Sequence, residues 1–183
     1  MRTVLVLCVV LAAAVGAQAG ELAGVTMTDT TEVGDQQLVL NGMGLRKKAI
    51  IKVYVAGLYL PTKQNDAEKI LDSDTPRQLV MDFKFGVSGA KMCGAWDECL
   101  EANVTNASDQ VKADFKSLCG FMDDMGKGDK MVFTYVPGKG TESAVKGQSK
   151  GTIEGKPFAD ALYSCWIGAN PPGEAFKKGL LGE

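Results

Sequence analysis

Histidine is missing from all 183 residues. That absence removes the Ser-His-Asp triad, the Cys-His pair and the HExxH zinc site, together with the commonest proton shuttle near neutral pH. No Cys-x-x-Cys occurs, so a zinc or thioredoxin-like centre lacks its usual ligand pattern. After the first residues, no stretch is long and apolar enough to span a bilayer as a helix. Charge of one sign is also scarce. With 20 basic and 22 acidic side chains the net charge is −2, which offers no basic field for nucleic acid and no polybasic membrane patch. Lys47, Lys48 and Lys52 are a local exception, read here as a solvated strand entrance. Gly138-Lys139-Gly140-Thr141 lacks the spacing of a phosphate loop and reads as a turn between two strands. Asp97, Glu98, Asp123 and Asp124 fall on polar helix faces or at a helix end, where solvated charge is the ordinary condition.

What is there begins with a targeting segment. Arg2 supplies a short positive start, Val4 to Val15 an apolar run, and Ala17-Gln18-Ala19 an A-x-A cleavage box, so residues 1–19 are expected to be a secretory signal peptide removed after Ala19. Cys8 lies inside the apolar run and is not placed as a lipid anchor. The segment looks bacterial, which makes the expected location periplasmic or secreted. On that ground Asn103-Val104-Thr105 and Asn106-Ala107-Ser108 are taken as chance loop chemistry, not glycosylation sites. Residues 20–183 show no internal repeat and no linker, and are expected to form one domain.

Periodicity then divides that domain. Leu22 to Thr30, Gln37 to Leu40, Ala49 to Leu60 and Gln78 to Phe85 are expected strands, the last alternating Leu79, Met81, Phe83 and Phe85 against Val80, Asp82 and Lys84. Asp66 to Leu71 suggests a short helix. Ser88 suits the N-cap of a helix reaching about Asn103, with Met92, Trp96, Cys99 and Leu100 near one face. A second helix begins at Ser108 or Asp109 and carries the stripe Val111, Phe115, Leu118, Cys119 and Met122. Lys130 to Val136, Glu142 to Lys146 and Lys150 to Ile153 suggest a meander. Pro157 to Ile167 and Glu174 to Leu181 close the chain as helices. Strands, a block of helices, then strands and helices again indicate α+β architecture.

The most informative stretch is Leu40 to Pro61, LNGMGLRKKAIIKVYVAGLYLP. Gly42 and Gly44 suit a tight turn in which the chain or a ligand approaches closely. The run that follows is apolar apart from Lys52, as expected of a strand covered on both sides. Arg46 is thereby aimed at one end of a buried sheet. From these residues alone it is a surface arginine, a structural ion pair, or a guanidinium awaiting an anionic or oxygen-rich partner.

The same stretch resembles the chalcone-isomerase family, whose plant members carry a Gly-rich turn with arginine and a strand ending Gly-Val-Tyr-Leu, matched here by Gly57-Leu58-Tyr59-Leu60. The likeness, closest to the bacterial chalcone-isomerase-like branch, continues through Pro76 to Val104 (PRQLVMDFKFGVSGAKMCGAWDECLEANV). It resumes in FTYVPGKGTESAVKG, GTIEGKPFADALYSCWIG and FKKGLLG. The resemblance implies an antiparallel β-sheet with a layer of α-helices packed on one face, an open-faced β-sandwich, and a ligand cleft between the layers.

It also implies roles. In plant chalcone isomerases the arginine stabilises the oxyanion of a phenolic ketone while the ring closes. A strand threonine, a helix-start tyrosine and asparagine, and a late threonine order water and substrate. Arg46 matches the arginine. Tyr54 takes the strand threonine's place, the tyrosine and asparagine positions fall near Val87 and Gly94, and Pro171 to Glu174 holds no hydroxyl. Non-catalytic relatives bind fatty acids, holding the carboxylate with the arginine and a nearby tyrosine, roles that Arg46 and Tyr54 would fill. The leading expectation is therefore a non-catalytic binder of a fatty acid or similar small apolar carboxylate. The alternatives are an intramolecular lyase acting on a phenolic or enone substrate, whose catalytic residues would again be Arg46 and Tyr54, and a structural module with a collapsed cleft. No cofactor, metal or nucleic acid is called for, and a monomer is expected.

Four cysteines follow the leader. In an exported chain an even count suggests disulfides. If the two central helices form a hairpin about Asn106, Cys93 and Cys119 lie at the same level and are the expected pair. Cys99 with Cys119 is the rival, leaving Cys165 to Cys93 or free, and buried free thiols are the further alternative.

Overall fold

The computed structural model describes residues 20–183. The expected signal peptide, with Cys8 and its cleavage box, lies outside the described residues. The described chain runs β1 (Gly20–Leu22), β2 (Val25–Met27), β3 (Thr30–Val33), β4 (Gln36–Lys48), β5 (Ile51–Leu60), α1 (Ala67–Asp72), β6 (Arg77–Phe83), α2 (Gly89–Asn103), α3 (Asp109–Cys119), β7 (Lys130–Val136), β8 (Gly140–Val145), β9 (Gln148–Ile153), α4 (Lys156–Ile167) and α5 (Glu174–Leu180). Strands β3 to β9 form a seven-stranded antiparallel sheet in sequence order, and β1 and β2 form a separate hairpin. The α+β architecture is as expected, a curled antiparallel sheet with its helices.

Two strand expectations are corrected. Leu22 to Thr30 is not one strand. Ala23 and Gly24, with φ of 52° and 74°, turn the chain back between β1 and β2, because two successive left-handed residues make the hairpin turn that fits strand twist. The glycines of the LNGMGLR stretch are not in a turn either, since β4 runs unbroken from Gln36 to Lys48. The turn comes later, at Ala49 and Ile50, between the paired Lys48 and Ile51. Gly42 and Gly44 instead admit another part of the chain: a Cβ on Gly42 would meet the Gly179 carbonyl oxygen, and one on Gly44 would lie 2.6 Å from that of Phe176. Helix α5 thus lies directly on β4.

The helix-side core joins Leu79, Met81 and Phe83 of β6 and Met131 and Phe133 of β7 to the apolar faces of α2, α3 and α4. Helix α4 is buried from Phe158 to Ile167 except at Asp160, as befits a helix enclosed on all sides. The opposite sheet face is not wholly open. The β1–β2 hairpin lays Val25 and Met27 over Leu38, Leu40, Val55 and Tyr59, and Gly57 leaves the room that Met27 occupies.

Sequence reading passed over Arg77 and Asn41. Arg77 is wholly buried. It contacts Asp160 and donates to the Ile70 carbonyl at 2.8 Å. Its guanidinium lies 5.0 Å and 4.8 Å from the ring centres of Tyr135 and Tyr163. A buried charge so paired locks α1, α4 and β6 together. Asn41, at a β4 bulge, donates to the carbonyls of Gln64 (2.9 Å) and Leu180 (2.8 Å) and accepts from the Gln64 N–H (2.7 Å).

The disulfide expectation is also corrected. Cys99 is bonded to Cys165, while Cys93 and Cys119 are free thiols. Helix α2 packs against both α3 and α4. Six residues turn a helix by about 240° beyond one full revolution, so Cys93 faces α3 while Cys99 faces α4. Cys93 does reach the level of Cys119, but its sulfur meets the Cys119 carbonyl oxygen at 3.6 Å. Burial, and then the neighbouring Cys93, push the Cys119 thiol up to about 12, so it stays protonated.

Candidate functional site

Between β5, β6 and α2 lies a cleft of about 830 Å³, within the range of roughly 300–1,000 Å³ usual for small-molecule sites. The Tyr54, Phe83 and Met81 side of the sheet forms one wall, and Met92 and Trp96 of α2 another. Trp166 of α4 lies between them, its ring 5.5 Å from Trp96 and 5.7 Å from Phe133. The Cys99–Cys165 bond borders the cleft, fixing α2 against α4 beside the space between helix and sheet.

Both sequence-predicted site residues line this cleft. Arg46 on β4 stands directly opposite Tyr54 on β5 in the strand register, next to a bulge between Arg46 and Lys47 that turns the strand locally. Through Nη1, Arg46 donates to the carbonyls of Lys47 at 2.6 Å and Pro172 at 2.7 Å. It takes part in no ion pair among the described residues, so the structural ion-pair reading does not hold. Nη2 and Nε are left for another acceptor.

Tyr54 is half-buried as a residue, yet loss of water around its hydroxyl pushes the phenol up to about 12, against smaller opposing effects of the Trp166 bond and the Arg46 charge. Trp166 Nε1 donates to the Tyr54 oxygen at 3.2 Å. The phenol is therefore neutral at physiological pH, with its own proton available to an acceptor. A neutral phenol can donate a hydrogen bond and is a poor base at that pH. Phe83 and Phe176 brace the ring at 5.6 Å and 5.8 Å.

Val87, Gly94, Pro171 and Pro172 also line the cleft. These are the positions where the resemblance places catalytic tyrosine, asparagine and threonine, and none carries a side-chain hydrogen-bonding group. Polar character comes instead from Arg46, Lys48 and Lys91, with Glu98 as the acidic lining residue. Among the described residues, no group of three or more acidic or thiol side chains is placed to hold a metal ion, and no helix is long and apolar enough to cross a membrane.

Trp166 escaped sequence reading. A signal was present, since a tryptophan next to Cys165 on so apolar a helix needs a partner for its indole N–H. Asn103, read as chance loop chemistry, joins the end of α2 to the loop bearing Pro171 and Pro172: its side chain donates to the Asn170 carbonyl (3.1 Å) and accepts from the Asn170 N–H (2.7 Å).

The fold is shared with a fatty-acid binding protein of Arabidopsis thaliana, with a TM-score of 0.72 over 90% of this chain and 96% of that one, at 16% identity. At that identity the likeness concerns the fold. No curated protein sequence matches the chain. The profile of chalcone isomerase-like proteins matches residues 19–182, and with the fold and the arginine-bearing cleft in place, the chain belongs to the chalcone isomerase-like family.

Proposed function

We propose that this chain is a non-catalytic binding protein that holds a fatty acid or similar small apolar carboxylate in the cleft, with the carboxylate on Arg46 and Tyr54. The observation that carries the reading is a guanidinium without an acidic partner among the described residues, at an apolar cleft and opposite a phenol whose proton is free to be donated. Arginine with one phenol donor suits a carboxylate, and the aromatic and methionine walls suit an alkyl chain. The Arabidopsis protein of the same fold is a fatty-acid binder, which supports the same class of ligand. Export by the N-terminal segment, with cleavage after Ala19 and function in the periplasm or outside the cell, belongs to this proposal, as does a monomeric state.

Ring closure of a chalcone requires positioned donors around the substrate as well as an oxyanion partner. At Val87 and Gly94 the side chains supply none. The test is native mass spectrometry of the purified protein, in which the wild type carries bound fatty acid and Arg46→Ala does not. Wild-type protein that stays ligand-free after equilibration with oleate would overturn the reading. In parallel, the absorbance of a chalcone should decay no faster with the protein than without it. Saturable turnover lost in Arg46→Ala would establish the lyase instead.

A further inference from the structure

Three large apolar side chains are exposed among the described residues: Ile50 at 96%, Phe85 at 52% and Ile51 at 42%. All three gather at one end of the sheet. Ile50 occupies the turn joining β4 to β5, and Ile51 is the first residue of β5. Phe85 follows β6, and its N–H bonds the Val53 carbonyl at 3.2 Å, two residues from Ile51. Ile51 and Phe85 both line the ligand cleft, so the exposed apolar tip is continuous with the cleft wall.

The same end is basic. Lys48 and Lys91 line the cleft beside Ile51 and Phe85. Lys47 is paired directly with Lys52 across the hairpin, a like-charge arrangement that works against strand pairing unless an anion is supplied from outside. None of Lys47, Lys48, Lys52 and Lys91 is in an ion pair among the described residues, in a chain where acidic groups outnumber basic ones. Whole-chain charge balance conceals this local field, and the solvated-entrance reading leaves the three apolar side chains unexplained.

We propose that this tip docks the protein on an anionic lipid bilayer. Ile50, Ile51 and Phe85 enter the headgroup and acyl boundary, while the surrounding lysines meet the lipid phosphates. A projecting tip of this kind needs a yielding apolar phase more than a preformed pocket, and basic residues around apolar ones are the pattern of interfacial binding. Docking would set the cleft against the membrane, so that an apolar ligand passes between them without crossing water. That last consequence rests on the binding function proposed above. The docking itself does not.

Flotation of the purified protein with phosphatidylcholine vesicles, with and without phosphatidylglycerol, tests it. The protein should float with the anionic vesicles, weakly with the neutral ones, and less as salt rises. Ile50→Asp should reduce flotation on the order of tenfold, and Lys47→Glu with Lys52→Glu by at least as much, since each basic residue near such a surface contributes on the order of fivefold in partitioning. Melting temperatures should be unchanged, because these side chains are solvent-exposed. Failure of the wild type to float with anionic vesicles, or equal flotation by Ile50→Asp, overturns the proposal, including where the wild type instead binds a soluble polyanion. Oleate retention by the wild type, read separately in native mass spectrometry, keeps the two readings apart: wild-type protein that floats with anionic vesicles yet carries no oleate counts against the binding function alone, and wild-type protein that carries oleate yet does not float counts against the docking alone.

Discussion

Gly42 of β4 and Gly179 of α5 let strand and helix meet backbone to backbone: a Cβ on Gly42 would meet the Gly179 carbonyl oxygen, and a Cβ on Gly179 would meet that of Met43, the residue after Gly42. This contact seats α5 on the sheet. Asn41, next to Gly42, accordingly reaches the Leu180 carbonyl, and the loop leading into α5 brings the Pro172 carbonyl to Arg46.

Gly42→Ala should therefore be among the most disruptive single-methyl additions to this chain. The nearest atoms are backbone on both sides and have no rotamer in which to retreat. A loss of about 3 kcal/mol or more is expected from overpacking, with ligand retention falling as α5 lifts. Thermal unfolding of the variant checks this; a melting temperature within error of the wild type would show that α5 shifts freely.

Arg46 and Tyr54 should separate by magnitude. Tyr54→Phe removes one neutral donor and keeps the ring packed on Phe83 and Phe176, so affinity for oleate should fall by about 1 kcal/mol, roughly fivefold. Arg46→Ala should cost more, about 2–3 kcal/mol, through loss of a charged contact. Titration calorimetry with oleate decides the order. Equal, small losses would place the carboxylate elsewhere.

Cys99–Cys165 closes a loop of sequence separation 66. On the chain-entropy estimate this is worth about 4 kcal/mol. Cys99→Ser with Cys165→Ser should lower stability by about that amount and loosen the cleft, since α2 is held to α4 there. Non-reducing peptide mapping should recover the Cys99–Cys165 pair, with Cys93 and Cys119 alkylated. A Cys93–Cys119 peptide would contradict the assignment.

Alkaline titration should be unusually late. Burial raises all four tyrosines: Tyr54 and Tyr135 to about 12, Tyr59 and Tyr163 also upward, with the Asp74 hydrogen bond adding to the rise at Tyr135. A phenol whose folded pKa exceeds its unfolded value of about 10 binds its proton more tightly in the native state. Its stabilising contribution is thus complete below pH 10 and is lost as pH climbs from there through the folded values. Phenolate absorbance should rise together with loss of circular dichroism above pH 10. Two or more tyrosines titrating near 10 in protein that stays folded would refute it.

Much of this architecture is legible in the order of residues. Alternation in Gln78 to Phe85 marked the strand that forms as β6 over Arg77–Phe83, because a strand with one face on a core must repeat every second residue. Ser88 and Ser108 cap α2 and α3 as their side chains require, each accepting a backbone N–H from the first turn. Arg46 and Tyr54, eight positions apart, were joined through the likeness to a family; the residues alone did not choose among the readings of that arginine. Three-dimensional register decided that it faces a phenol across the ladder and has no acidic partner among the described residues.

What the chain by itself determined was local: periodicity, caps, the missing histidine and the chemistry it forbids. Tertiary structure decided everything that depends on two distant segments meeting. Glycines that favour a turn on conformational grounds equally favour close packing, and only the position of α5 shows which use Gly42 and Gly44 serve. Cysteine spacing fixed the level of Cys93 against Cys119, but the rotation of α2 about its own axis, set by packing against both α3 and α4, directed Cys99 to Cys165. Phe85 continues the inward alternation of β6 in the sequence, yet the strand ends at Phe83, and past that end there is no core left to receive it.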